Sequence, residues 1–132
     1  MEYLKSLFNG RIGRRNYLYG LILPILVLII SDSLGGITSL LNYFSSETLA
    51  SDEILASVFI LIILLAYFFY LSLAIRRLHD MGKSGWISLL GLIPFISLIV
   101  GIALLFNEGA SGENKYGPIP NQKLSLKAII GK

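Results

Sequence analysis

Apolar residues gather into long runs along this chain, separated by short polar segments. Ile54–Ile75 holds no charged residue over 22 positions, and Ser84–Asn107 holds none over 24. A further run starts at Tyr17 and reaches about Leu34. Runs of this length without amphipathic spacing read as membrane spans. The pattern predicts an all-α integral membrane protein of one domain, residues 1–132, with three transmembrane helices at about 17–34, 54–75 and 85–106. At 1.5 Å rise per residue the first covers about 27 Å, just enough for the hydrocarbon core. Pro24 inside it predicts a kink, and Asp32 with Gly35-Gly36 marks its far end. Pro94 falls near the centre of the third.

The segments between the runs are polar. Residues 1–8 carry Tyr3, Leu4, Leu7 and Phe8 on one helical face, which predicts a short N-terminal interfacial helix ended by Asn9-Gly10. Basic loops follow at 9–16 and 76–84. Residues 35–53 are acidic and hold no Lys or Arg, with Ser51-Asp52 placed as an N-cap for the second span. The tail, 107–132, is rich in Gly, Pro and Asn and predicts turns, with a short amphipathic or disordered end. The sequence S-D-S-L-G-G after the first run lacks a small-residue cleavage pattern, so that run reads as an anchor.

Composition agrees. Hydrophobic residues make up 55%, charged residues 14%, and mean hydropathy is +0.74; a soluble domain carries about 25% charge. There is no cysteine, which excludes disulfides, thiolate nucleophiles and cysteine metal sites. One histidine is a poor basis for a zinc centre. No metal, no cofactor and no nucleic-acid partner is expected.

Basic residues set the topology. Lys5, Arg11, Arg14 and Arg15 precede the first span, Arg76, Arg77 and Lys83 lie between the second and third, and the 35–53 segment has none. The positive-inside rule then puts the N-terminus in the cytoplasm of a multi-pass protein. Three crossings carry the tail outside, against Lys115, Lys123, Lys127 and Lys132. The alternative is that Pro94 breaks the third span into a re-entrant hairpin and returns the tail to the cytoplasm. Tyr17, Tyr19 and Trp86 fall at the inner interface, Trp86 as an anchor, and Tyr43, Phe44 and Phe106 fall near the outer one.

Residues 76–86, R-R-L-H-D-M-G-K-S-G-W, are the only dense polar cluster between two long charge-free runs, and hold the chain's one histidine. One reading is a charged turn that enforces topology, with Arg–Asp pairing across it. Another brings Arg11, Arg14, Arg15, Arg76, Arg77, His79, Asp80 and Lys83 to one membrane face as a site for anionic lipid headgroups or phosphate. A docking surface for a membrane protein partner is a third. Catalysis by His79 and Asp80 on a lipid phosphate lacks an evident nucleophile or metal ligands. A transporter subunit lacks intramembrane charge. In the third run, Gly85, Ser88, Gly91 and Pro94 recur every three residues and Ser97 and Gly101 are four apart, a small-residue face suited to helix packing within the chain or in a homo-oligomer.

Three blocks together, G-R-I-G-R-R-N-Y (10–17), R-R-L-H-D-M-G-K-S-G-W (76–86) and G-A-S-G-E-N-K-Y-G-P-I-P (109–120), resemble the domain-of-unknown-function 805 family of small bacterial inner-membrane proteins. The resemblance covers nearly the whole chain. Ile87 stands where the family has a second aromatic, and Ile119 where it usually has an acidic residue. The resemblance implies a bacterial inner-membrane location and supplies no activity. Together these readings give a non-catalytic membrane binding or scaffold module with a basic cytoplasmic face.

Overall fold

The computed structural model describes residues 7–45, 51–121 and 123–130. Among them, all regular structure is helical: α1 (Arg14–Ser45), α2 (Ser51–Asp80), a 3₁₀ helix (Gly85–Leu92), α3 (Pro94–Phe106) and a single turn, α4 (Leu126–Ile130). The predicted interfacial helix lies outside the described residues except for Leu7 and Phe8, which are helical.

Two helices are long and apolar enough to cross a membrane. Arg14–Ser39 has a mean hydropathy of 2.1 and Ala56–Asp80 one of 2.8. Only 11% and 22% of their apolar stretches are buried, whereas the core helix of a soluble protein hides its apolar face. α1 does not stop at Gly35-Gly36. Glycine costs about 1 kcal/mol in a helix interior, a penalty too small to end one. Thr38 and Ser39 hydroxyls bond back to the Gly35 carbonyl at 3.0 and 2.8 Å within the continuing turn.

The chain divides into two compact units, Ile22–Phe69 on one hand and Met1–Leu21 with Tyr70–Lys132 on the other. Within the first, Leu23, Ile25, Leu26, Ile29, Leu61 and Leu64 all point outward, as side chains solvated by lipid do. Pro24 sits inside α1, buried beside an apolar cavity shared with Leu65 and Phe69.

The second unit has a small apolar core, Ile12, Tyr17, Leu73, Leu78, Leu104 and Ile129. Gly20 permits it: a Cβ there would meet Leu73 at 2.8 Å. Its interior is otherwise polar, with Arg11, Asn16, Arg76, Arg77 and Asp80 buried.

Residues 85–106, read from the sequence as one span, are not a continuous helix. Ile93 is extended (φ −92°, ψ 118°) and Pro94 opens a new helix, because the residue before a proline avoids helical geometry. Eight residues of 3₁₀ helix cover about 16 Å and thirteen of α-helix about 19 Å. Both ends of the segment meet the last turns of α2. Gly85 approaches Ile75 and His79 so closely that a Cβ would lie 3.2 Å from His79 Nε2. At the other end the Asn107 carbonyl accepts a bond from Arg77 at 2.6 Å. The small-residue face is also only partly used: Gly85 and Ser88 are packed, but Cβ atoms at Gly91 and Gly101 would meet open space. Trp86 and Phe95 are 78% and 83% exposed.

Candidate functional site

α2 ends in a Schellman turn. Gly82, with φ of +71°, sits where a left-handed residue is required, the Lys83 N–H donates to the Leu78 carbonyl at 2.8 Å, and the Gly82 N–H donates to that of His79 at 3.0 Å. The turn fixes Asp80, which becomes the hub of a buried network. Its Oδ1 accepts from Arg11 Nε at 3.0 Å and its Oδ2 from the Arg77 guanidinium. Its carbonyl accepts the Ala110 N–H at 2.8 Å.

Arg11 is saturated. Beyond Asp80 Oδ1 it donates to the carbonyls of Gly112 (2.7 Å), Gly117 (3.2 Å), Ala110 (2.8 Å) and Asp80 (3.4 Å). These five bonds use all five N–H groups of a guanidinium, and four of the acceptors are backbone oxygens. Arg77, wholly buried, donates to the Leu104 and Asn107 carbonyls at 3.0 and 2.6 Å. It thereby caps the C-terminus of α3, where orphan carbonyls and the helix dipole favour a cation. Arg76 does the same for α4 through the carbonyls of Ile129 (3.1 Å) and Ala128.

The tail is fastened at two more points. Asn16 donates to the carbonyls of Asn121 and Lys123, both at 3.2 Å, and accepts the Ser125 N–H at 3.0 Å. Asn114 donates to the His79 carbonyl at 2.9 Å and accepts the Tyr116 N–H. The turn it opens is closed by paired backbone bonds to Gly117. That turn lays Tyr116 flat on His79, ring centroids 3.7 Å apart and planes 9° from parallel.

The eight basic and acidic residues singled out in the sequence thus separate. Arg11, Arg76, Arg77, His79 and Asp80 are brought together as interior structure, bonded to the protein's own backbone or, at the Asp80 carboxylate, to two of the arginines. Arg14, Arg15 and Lys83 are exposed, and among the described residues only Arg14 of the three has an acidic partner, Glu108 at 3.2 Å. His79 and Asp80 do not form a dyad: His79 Nδ1 donates to the Gly10 carbonyl at 3.2 Å, while both Asp80 oxygens face arginines. Among the described residues no cluster of potential metal ligands occurs.

Two cavities flank the network. One, of about 450 Å³, is mostly apolar and runs between His79, Tyr116, Trp86 and Phe8. The other, of about 600 Å³, is polar and lies between the start of α1 and residues 108–111. Sequence reasoning missed Asn16 and Gly109, and read Asn114 only as part of an ordered turn with Gly117-Pro118, without its bond to His79. Their trace was the third quoted block, 109–120, whose glycines and asparagine read as an ordinary turn.

Residues 6–118 match the family described as "Protein of unknown function (DUF805)". The chain is 31% identical over 123 residues to the inner membrane protein YhaH of Escherichia coli K12, covering 89% of this chain and 94% of that protein. A 50-residue stretch is 50% identical to the inner membrane protein YhaI of the same organism, covering 38% of this chain and 42% of that one. No solved structure matches.

Proposed function

The chain belongs to the DUF805 family, whose relatives above are bacterial inner membrane proteins, and from that premise we propose a non-catalytic membrane module whose polar segments close together on the cytoplasmic face. One observation carries the reading: Arg11, ahead of the first long helix, donates to carbonyls of Ala110, Gly112 and Gly117 in the tail. Residues 107–118 then share a membrane face with residues 11 and 80.

Two crossings follow, by α1 and α2. The segment 85–106 enters and leaves by the same face, each piece matched to one leaflet of about 15 Å rather than a core of about 30 Å. Its exposed Trp86, Phe95, Leu98, Ile99 and Phe106 are solvated by acyl chains. Its backbone is helical apart from the single break at Ile93, so few groups need partners in lipid. The exposed Lys115, Lys123 and Lys127 now count on the cytoplasmic side, which removes their conflict with the positive-inside rule.

On this reading Arg14, Arg15 and Lys83 meet anionic headgroups, at about 1 kcal/mol for each basic residue near the surface. Arg11, Arg76 and Arg77 do not, because their donors are held inside. An enzyme working through His79 and Asp80 draws no support from a carboxylate already shared by two arginines.

The test is lipid selectivity. Protein reconstituted in mixed phosphatidylglycerol and phosphatidylcholine nanodiscs should retain phosphatidylglycerol preferentially when extracted. Replacing Arg14, Arg15 and Lys83 together with Gln should abolish the preference. Unchanged enrichment in that variant would sink the proposal.

A further inference from the structure

We propose that the cavity of about 450 Å³ between Phe8, His79, Trp86 and Tyr116 binds an uncharged glycerolipid with a free hydroxyl, of the diacylglycerol class. This site is separate from the basic surface that meets headgroups, and rests on that reading only for the placement of residues 85–106 in lipid. All of its lining belongs to one compact unit of the chain.

His79 carries the inference. A carbonyl can only accept, so the bond between Nδ1 and the Gly10 carbonyl at 3.2 Å fixes the ring proton on Nδ1. The neutral imidazole then presents Nε2 as a bare acceptor, and among the described residues no donor reaches it. His79 is 9% exposed. That remnant includes Nε2, because Arg76 Nε is the one wholly shielded side-chain polar atom without a partner among the described residues.

Nε2 also lies on the cavity side of the ring. Gly85 lines the cavity, and a Cβ there would stand 3.2 Å from Nε2. Tyr116 covers a ring face, while glycine at 85 leaves the Nε2 edge open. A buried acceptor that lacks a donor is destabilising, and a ligand hydroxyl supplies the missing bond.

The rest of the lining sets the ligand class. Among the described residues no lysine, arginine, aspartate or glutamate lines this cavity. A phosphate would lie there without a counter-charge, so the polar end of the ligand is uncharged. Ser84 is the N-cap of the 3₁₀ helix, yet its hydroxyl makes no capping bond. With Asn9 it offers donors to an ester carbonyl. A diacylglycerol head carries the matching set, a hydroxyl that donates and ester carbonyls that accept. Ile75, Trp86 and Leu89 make the remaining wall apolar. Trp86 and Leu89 are exposed, so the cavity opens toward the acyl chains around residues 85–106, and the ligand's own chains leave by that side.

Trp86 is the chain's single tryptophan, so its fluorescence reports this cavity. The full chain is placed in phosphatidylcholine nanodiscs containing diacylglycerol brominated in its acyl chains close to the glycerol. Quenching is compared with that by equally brominated phosphatidylcholine, and by the same diacylglycerol with its hydroxyl acetylated. The free hydroxyl form should quench at a mole fraction about fivefold lower than either, the worth of one hydrogen bond. His79→Asn keeps a donor for Gly10 and removes the acceptor, and should abolish the preference. Ser84→Ala, at an exposed position, should reduce it by about twofold or more.

Phosphatidylglycerol enrichment should be the same in His79→Asn as in the parent, because Arg14, Arg15 and Lys83 are unchanged. Either lipid preference can then fail without the other. If His79→Asn loses both, its fold is lost and Ser84→Ala decides. Equal quenching by the hydroxyl and acetyl forms in the parent overturns the site. So does a parent-like preference in a folded His79→Asn or, where that variant does not fold, in Ser84→Ala.

Discussion

The carboxylate of Asp80 packs against the Cα of Gly109, leaving no room for a side chain there. A Cβ would collide with both oxygens and the carboxyl carbon of a group that cannot move, since Arg11 and Arg77 hold it from the other side. Gly109→Ala should therefore destabilise the protein by about 1–3 kcal/mol, the usual cost of overpacking, read as a lower thermal unfolding midpoint in detergent. Gly112→Ala is the control, because its Cβ meets nothing within 4 Å. Equal midpoints for the two variants would contradict this account.

Arg11→Lys keeps the charge and loses the fork. An ammonium has three donors and no planar geometry, so it cannot reach Asp80, Ala110, Gly112 and Gly117 together. Each buried carbonyl left without its donor costs about 1–3 kcal/mol. The expected result is rapid proteolysis within residues 107–118 while the membrane-embedded part survives. A lysine variant as protease-resistant as the parent would show that the tail is held by something else.

Tyr116 stacks on His79 and its hydroxyl has no part in that contact. Tyr116→Phe should leave stability nearly unchanged, whereas Tyr116→Ala should cost about 0.5–1.5 kcal/mol beyond its lost area. Chemical-denaturation midpoints of the two variants decide it. A phenylalanine variant as unstable as the alanine one would assign the role to the hydroxyl.

The chain has no cysteine, so single cysteines report topology cleanly. Ser111→Cys and Lys83→Cys, both at exposed positions, should be labelled by an impermeant maleimide from the same side of inside-out vesicles. Labelling from opposite sides would restore a third crossing.

The two long helices were legible because long apolar runs without interior charge are what a membrane-crossing helix requires. Their ends were less so: α1 runs on past Gly35-Gly36, where local propensity alone was too weak to stop it. An apolar run reports contact with acyl chains and is silent about whether the chain crosses or turns back. Pro94 was the visible sign of the break in 85–106, but the fold-back depends on bonds from Arg77 and Arg11 to distant carbonyls. Backbone carbonyls occur at every residue, so nothing in the sequence marks which ones serve as acceptors. For the same reason counting arginines marked them as one cluster, yet could not tell the saturated Arg11 from the exposed Arg15.

The bonds of Arg11 to Ala110, Gly112 and Gly117 join residues 99 to 106 positions apart, and that separation dictates an order of assembly. A ribosome makes the arginine 99 to 106 residues before these acceptors, with both long helices made in between. Until then the guanidinium stays hydrated and the start of α1 is untethered. Closure of the network thus waits for residues 110–117, and a chain interrupted before residue 110 leaves Arg11 an unfastened cation.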